Sequence, residues 1–521
     1  MHKTQVGREG IQVKKLTRSE YNKLNAIQKL LYKIVCFICA IPSFFARIGV
    51  AIWKGIKVFG KAVKNEILDV ILTFKNGTWK TRVSYLIMGF GNIARKQFAR
   101  GFIFLAFEGA FIYFMSKFGI PWLSKLDNLG DYPPQEIYDP ILDTFYTVYY
   151  ENSFDNLFYA LIAMALCFAF VITWRMNVKQ NKIADELLAK GKKLPTFKQD
   201  LRGLVDEKFH KTLLSVPVLG VTIFTIMPII FMIFIAFTNY DGSHDGFSNL
   251  FTWVGWDNFR ALFDANSSDK NLGYTFIHIL GWTLVWAVFA TFTNYFLGML
   301  VAILINKKGI RFKKLWRSIL VMTIAVPQFV SLLYVSKLFA KNGIVNAMLM
   351  KLGITDHLID FWGTTEIARV LVIVINIWIG IPYLMLIATG ILMNIPEDLY
   401  ESSKIDGANP FQQFMKITLP YMLFVTGPYL LTSFIGNINN FNVIYLLTTG
   451  GTMSNPKLNT SGGVASDTDL LVTWLFNITQ GALSNYKLAA VIAIMIFVVV
   501  ATLSLIVYNI MPSTKNEEDF Q

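Results

Sequence analysis

The sequence predicts an all-α polytopic membrane protein with eight transmembrane helices. Three observations carry this reading. The 521 residues are 54% hydrophobic and only 16% charged, with a positive mean hydropathy. The apolar residues gather in runs of roughly 20, the length a helix rising about 1.5 Å per residue needs to cross a hydrocarbon core of about 30 Å. The polar segments between the runs alternate between basic and acidic, as loops on opposite sides of a bilayer do. The net charge of +14 therefore follows topology, and no nucleic-acid partner is inferred from it. The three cysteines, Cys36, Cys39 and Cys167, lie in apolar stretches and read as buried structural residues.

Residues 1–99 form a basic N-terminal segment, cytoplasmic or interfacial, with 18 Lys and Arg against 4 Asp and Glu. No small-residue cleavage site follows its apolar run, so no cleavable signal is expected. Within it Leu31–Trp53 is interrupted by Lys33 and Arg47, which fits an interfacial amphipathic helix better than a span. Tyr85–Gln97 reads as a further surface segment. Residues 100–211 hold two spans, Gly101–Ile120 and Phe154–Trp174, and a basic linker. Residues 212–511 hold six more: Leu213–Phe237, Phe276–Ile305, Ile319–Leu338, Val370–Met393, Tyr421–Leu447 and Leu488–Ile510. A short cytoplasmic tail, 512–521, closes the chain. Segments 1–99, 175–211 and 305–317 are rich in Lys and Arg, whereas 120–155 and 239–274 are acidic. Eight spans with both termini in the cytoplasm satisfy all five segments. A ninth span at 31–53 would place the basic first thirty residues outside.

One polar stretch, residues 394–420, interrupts the last six spans and falls on the cytoplasmic side. Pro396 suits the first turn of a short helix. Asp406-Gly407 marks a turn, with Gly407 free to adopt positive φ. Asn409-Pro410 restarts a helix as N-cap and first residue, and Leu419-Pro420 is expected to close it before the next span. The pattern Glu401-Ser402-Ser403, Asp406-Gly407-Ala408, then Ile417-x-Leu419-Pro420 resembles the Glu-Ala-Ala loop of the membrane subunits of bacterial ABC importers, with two serines in place of the alanines. The resemblance implies a six-helix importer permease core preceded by two extra N-terminal spans, in the plasma membrane of a bacterium. It also implies that Glu401, Ser402, Ser403, Asp406, Gly407 and Ala408 dock a cytoplasmic ATPase. The alternative from the residues alone is an amphipathic loop lying on the membrane.

Inside the last six spans no Asp, Glu, Lys or Arg sits mid-helix, which argues against proton coupling and for a neutral solute. His278 stands alone near a span end and is given no role. Polar residues are patterned instead. Ser433, Asn437 and Asn440 fall at i, i+4 and i+7, as do Asn376, Gly380 and Tyr383, so each trio shares one helix face. Asn amides pair donors and acceptors in the way vicinal sugar hydroxyls require, and Tyr383, Trp378 and Phe441 could stack on a pyranose. Interhelical hydrogen bonding would account for the same pattern. The stretches Asn376–Ala408 and Ser433–Gly451 look like the larger, MalF-type permease subunit of maltose and maltodextrin importers. That resemblance covers the last six spans and implies a maltooligosaccharide held mid-membrane by Gly380, Tyr383, Ser433, Asn437 and Asn440. Asn376 shares their face. Two positions depart: Ile324 stands where the family has Tyr, and Gln328 where it has Ser, which leaves the sugar or its length open. The enterobacterial form also has a large outside domain where this chain has only residues 239–274.

The resemblance implies a full set of partners: a second, MalG-type permease, a dimer of ABC ATPases and an extracellular sugar-binding protein. ATP and Mg would belong to the ATPase, with no cofactor in this chain. In agreement, the sequence has no GxxxxGK[ST], no His/Glu zinc motif and no GxSxG. Two further readings stay open: another neutral oligosaccharide on the same architecture, or a membrane-embedded glycosyltransferase using Glu397, Asp398, Glu401 and Asp406.

Overall fold

The computed structural model describes residues 26–264, 271–307, 309–448, 454–460, 463–480 and 484–510. The tail at 512–521 and the side chains of residues 26–48, Cys36 and Cys39 among them, lie outside the described set. Seven described helices are long and apolar enough to cross a membrane: Phe98–Leu123, Ser153–Ala189, Phe209–Ile235, Leu272–Asn306, Thr365–Leu392, Pro410–Thr448 and Tyr486–Tyr508. Lys313–Ala325 and Gln328–Leu338 together make an eighth, bent by 88° at their junction. The span expected at Ile319–Leu338 is therefore broken at this junction. Pro327 is the cause: its ring pushes the preceding Val326 to ψ 126°, out of the helical region.

The chain forms two compact units, one of residues 1–117 and 164–215, the other of 118–163 and 216–521. In the first, a single helix runs Ala26–Asn76, well past the expected end at Trp53. The segment expected on the surface, Tyr85–Gln97, is there only in part: Leu86, Ile87 and Lys96 are exposed, while others turn inward. Met88 and Ser84 are fully buried and Asn92 nearly so. Burial is possible because distant polar side chains satisfy its backbone. Glu108 accepts from the Met88 amide (2.8 Å), and Asn177 accepts from the Gly89 amide (3.1 Å) while donating to the Ser84 carbonyl (2.9 Å). Asn181 accepts from Arg95 and donates to Asn92, and Arg95 pairs with Asp185 at 2.6 Å. Gly89 has φ +81°, and a Cβ there would lie 2.1 Å from the Gly101 carbonyl oxygen, so only glycine fits. Cys167 is half-buried, with its sulfur 3.9 Å from that of Met115.

In the second unit the 272–306 helix is the spine. It packs along Thr365–Leu392 and Leu419–Ile438, and a Cβ on Gly298 would come within 2.6 Å of Leu384 Cβ, a small residue allowing close helix approach. At the end of this unit away from residues 394–420, His278 is not alone. Its Nε2 lies 2.9 Å from Asp467 Oδ1, Arg369 donates to the Asp467 carbonyl (2.6 Å), and the Arg369 guanidinium covers the Trp282 ring at 4.6 Å. A short hairpin, Ser454–Thr460 with Gly463–Ser466, supplies Asn455 to the same carboxylate.

Candidate functional site

Two features were expected to carry function, the polar residues inside the spans and the 394–420 loop. In the spans, the helix at 272–306 links the two predicted trios through residues that sequence reasoning missed. Asn376 is buried, and one turn on, Gly380 faces Asn294 so closely that a Cβ would meet its amide at 2.5–2.7 Å. One turn of the spine further, Thr291 accepts a hydrogen bond from Asn437 Nδ2 (2.9 Å). Trp286 Nε1 donates to the Asn437 carbonyl (3.0 Å), and Asn440 Nδ2 donates to Asn437 Oδ1 (3.4 Å).

The helix carrying Ser433 and Asn437 ends at Ile438 with Asn439 as C-cap. Asn440 is thus not on a continuous face with them. It turns back through the break and accepts from the Val443 amide (3.3 Å), opening the next helix, Phe441–Thr448. Tyr383 is exposed, with its ring centroid 6.4 Å from that of Tyr429; Ser433 is half-buried. Trp378 is also exposed, whereas Phe441 stacks on Tyr445 (4.6 Å) and meets Phe476 edge-on (4.9 Å). Gln328 and Ile324 sit on either side of the break in the 313–338 span and are exposed, and no hydrogen bond joins Gln328 to the amides among the described residues.

Two atoms in this array stand out. Asn294 Oδ1 and Asn376 Nδ2 are buried and have no hydrogen-bond partner among the described residues. One is an acceptor and the other a donor. Leaving a buried polar atom unpaired costs roughly 1–3 kcal/mol, so each of these two atoms would gain from a hydroxyl-bearing partner. Asn294 was legible in principle: Thr291 and Asn294, at i and i+3, are polar residues in an aromatic-rich span.

The loop is built from strictly local chemistry. Glu397–Ile405 forms the first helix after Pro396. Gly407 takes φ +78°. Its amide bonds to the Lys404 carbonyl (3.0 Å) and that of Ala408 to Ser403 (2.9 Å), the paired closure of a helix ending in a left-handed glycine. Asn409 and Gln412 form a capping box. The two helices are pinned by Gln413, whose Nε2 donates to Ser403 Oγ (2.7 Å) and to the Tyr400 carbonyl (3.1 Å), and by Tyr400 with Thr418 (2.9 Å). Ser403 therefore gives the loop a bond that alanine could not.

The expected stop at Leu419-Pro420 does not occur. Residues Phe414–Thr418 open into a wide π turn, which makes room for the Pro420 ring and its missing N–H, and the helix runs on into the span. Glu401, Ser402 and Asp406 are exposed, as are the apolar Leu399, Ile405 and Phe411. Glu397, Asp398, Glu401 and Asp406 sit on this exposed loop rather than in a cleft, and no group of three or more possible metal ligands occurs among the described residues.

Residues 294–515 match the family model of the binding-protein-dependent transport system inner membrane component. The chain is 31% identical to the maltodextrin transport system permease protein MdxF of Bacillus subtilis, over 83% of this chain and 95% of that one. It is 33% identical to the galactooligosaccharides transport system permease protein GanP of the same organism, over 83% and 97%. Against the maltose/maltodextrin transport system permease protein MalF of Escherichia coli it is 38% identical over 49% and 48%. Those relatives are transporter subunits rather than enzymes, with ATP hydrolysis residing in a separate ATPase. The chain belongs to the binding-protein-dependent transport system inner membrane components, as a multi-pass permease subunit related to those of oligosaccharide importers.

Proposed function

We propose that this permease translocates neutral maltooligosaccharides delivered by an extracellular binding protein. The observation that carries the reading is the pair of unpartnered amide atoms on Asn294 and Asn376, beside Gly380 and one turn from Thr291–Asn437–Asn440. The described array lacks any formal charge, so it offers hydrogen bonds to hydroxyls and no counter-ion for an anionic solute. Gly380, Tyr383, Ser433, Asn437, Asn440 and Asn376 would line the path; Gln328 would join only by a movement of the broken span.

The loop at 394–420 would dock a dimer of cytoplasmic ABC ATPases, with Ile405 and Phe411 as apolar anchors and Glu401 beside them. Closure of that dimer on ATP would push the first short helix, and the Tyr400–Thr418 and Gln413 bonds would pass the motion to the span that carries Ser433 and Asn437. A second permease would complete the pathway, and both termini would lie in the cytoplasm. A second reading keeps the architecture and changes the sugar: the galactooligosaccharide permease is as similar to this chain as the maltodextrin one.

The test is ATP hydrolysis by the reconstituted complex with its binding protein across neutral sugars. Stimulation by maltose, maltotriose and longer maltodextrins is the expected result. Stimulation confined to galactooligosaccharides would replace the substrate and keep the mechanism, and no stimulation by any sugar in an assembled complex would overturn the solute class.

A further inference from the structure

Residues 53–75 of the first long helix present three main faces, with the exposed Val58, Phe59, Leu68 and Leu72 lying off the apolar one. Glu66, Asp69 and Thr73 form one. It is fixed to the first unit: Arg175 pairs with Glu66 and with Asp69 (2.6 Å each), Lys182 with Asp69 (2.5 Å), and Thr73 is buried. The Lys182 hydrogen bond, with Arg175 beside it, outweighs burial and holds the Asp69 carboxyl below its ordinary range. Trp53, Ile56, Val63, Ile67, Ile71 and Phe74 recur at helical spacing on the second face, and all are exposed. Lys54, Lys57, Lys61 and Lys64 form the third, at successive spacings of three, four and three residues. They too are exposed, and Lys57 Nζ lies 5.4 Å from the Trp53 ring. This row is displaced by about 100° from the apolar stripe, one residue along a helix. No Asp or Glu occurs between residues 50 and 65.

The height of this helix is set independently. Arg175 directly follows Trp174, the last residue of the apolar run Phe154–Trp174. Trp174 Nε1 donates to the Tyr85 carbonyl, and the two rings meet edge-on at 5.5 Å, an aromatic pair of the kind that gathers where hydrocarbon meets headgroups. The ion pairs to Glu66 and Asp69 therefore tie the helix to the end of that apolar run. We propose that residues 53–75 lie on the membrane surface, with the apolar stripe against acyl chains and the four-lysine row on anionic lipid headgroups. The occupant of both faces is then the bilayer that the spans already cross, and the helix reads its charge.

The test uses the full chain in nanodiscs, with its three cysteines replaced and a single nitroxide placed at Ile56→Cys, Val63→Cys, Lys57→Cys or Lys61→Cys. In discs containing phosphatidylglycerol, labels at 56 and 63 are expected to collide severalfold more with oxygen than with a water-soluble nickel chelate, and labels at 57 and 61 the reverse. Changing Lys54, Lys57, Lys61 and Lys64 to Gln should shift the label at 56 toward the nickel chelate, each lysine contributing roughly fivefold to partitioning. Nickel-accessible labels at 56 and 63 in anionic discs would overturn the proposal. So would protection that arises only on adding the cytoplasmic ATPase, which would make this a protein surface, or a four-glutamine variant that behaves as the parent does.

Discussion

Buried asparagines do opposite things at two places in the molecule. In one, the amides of Asn177 and Asn181 are satisfied at both ends, and they hold the buried Ser84, Gly89 and Asn92 in place. At the candidate site, Asn294 and Asn376 are buried too, though less completely, and Asn294 Oδ1 and Asn376 Nδ2 are left unpaired. The same side chain is thus glue in one place and an open valence in the other. A completed set of hydrogen bonds stabilises a fold and has nothing left to offer a ligand. An incomplete one costs stability that only a passing solute can restore.

The contrast breaks most visibly from the satisfied side. Asn177→Ala strips partners from the Gly89 amide and the Ser84 carbonyl and should cost about 2–4 kcal/mol, the penalty of two buried unpaired groups. Thermal unfolding in detergent would show it as a lowered melting temperature together with poor accumulation in the membrane. Gly380→Ala is expected to act in the opposite manner: the new methyl displaces Asn294, so uptake should fall about tenfold or more in a complex that still assembles and melts near the parent temperature. Asn376→Ala removes one unpaired group. Stability should stay level or rise by up to about 1 kcal/mol, while uptake drops about fivefold, the worth of one hydrogen bond to a hydroxyl.

Smaller effects sharpen the comparison. Ser403→Ala deletes the Gln413 bond in the loop and should cost about 0.5–1.5 kcal/mol, seen as weaker ATPase retention in a pull-down with sugar specificity unchanged. A pH effect belongs to Asp241. Burial raises its pKa, but hydrogen bonds from Lys487, Ser243 and His244 outweigh this and hold the carboxyl below its usual range. A depressed folded-state pKa gives stability that is full above the ordinary carboxylate range and is lost as pH falls through the folded value. The melting temperature should accordingly drop on acidification from about pH 5 to about pH 3 in the parent, and less so in Asp241→Asn.

Most of the fold was legible because membrane spans announce themselves locally, through length and apolarity. The loop was legible for the same reason: Gly407, Asn409 and Pro410 act on their near neighbours in sequence. What stayed hidden depended on distance. The burial of Met88, Gly89 and Asn92 within residues 85–97 was hidden because Asn177, Asn181 and Glu108, which satisfy their polar groups, come from other helices. Pro420 reads as a stop only if the helix must stay α; the π turn before it removes the clash. Pro327 was visible, but the size of the bend it causes was not. For the candidate site, periodicity picked out Asn376, Gly380 and Asn437. It passed over Asn294 and Thr291, whose relevance rests on which helix lies against Gly380. His278 looked isolated because Asp467 is far along the chain.

The most direct measurement is uptake of labelled maltotriose into proteoliposomes by the assembled complex carrying Asn376→Ala, taken together with its melting temperature. Uptake is expected to be about fivefold lower at an unchanged or slightly raised melting temperature. Parent-level uptake, or a loss of uptake that merely follows a fall in melting temperature, would show that the unpaired amides do not read the sugar.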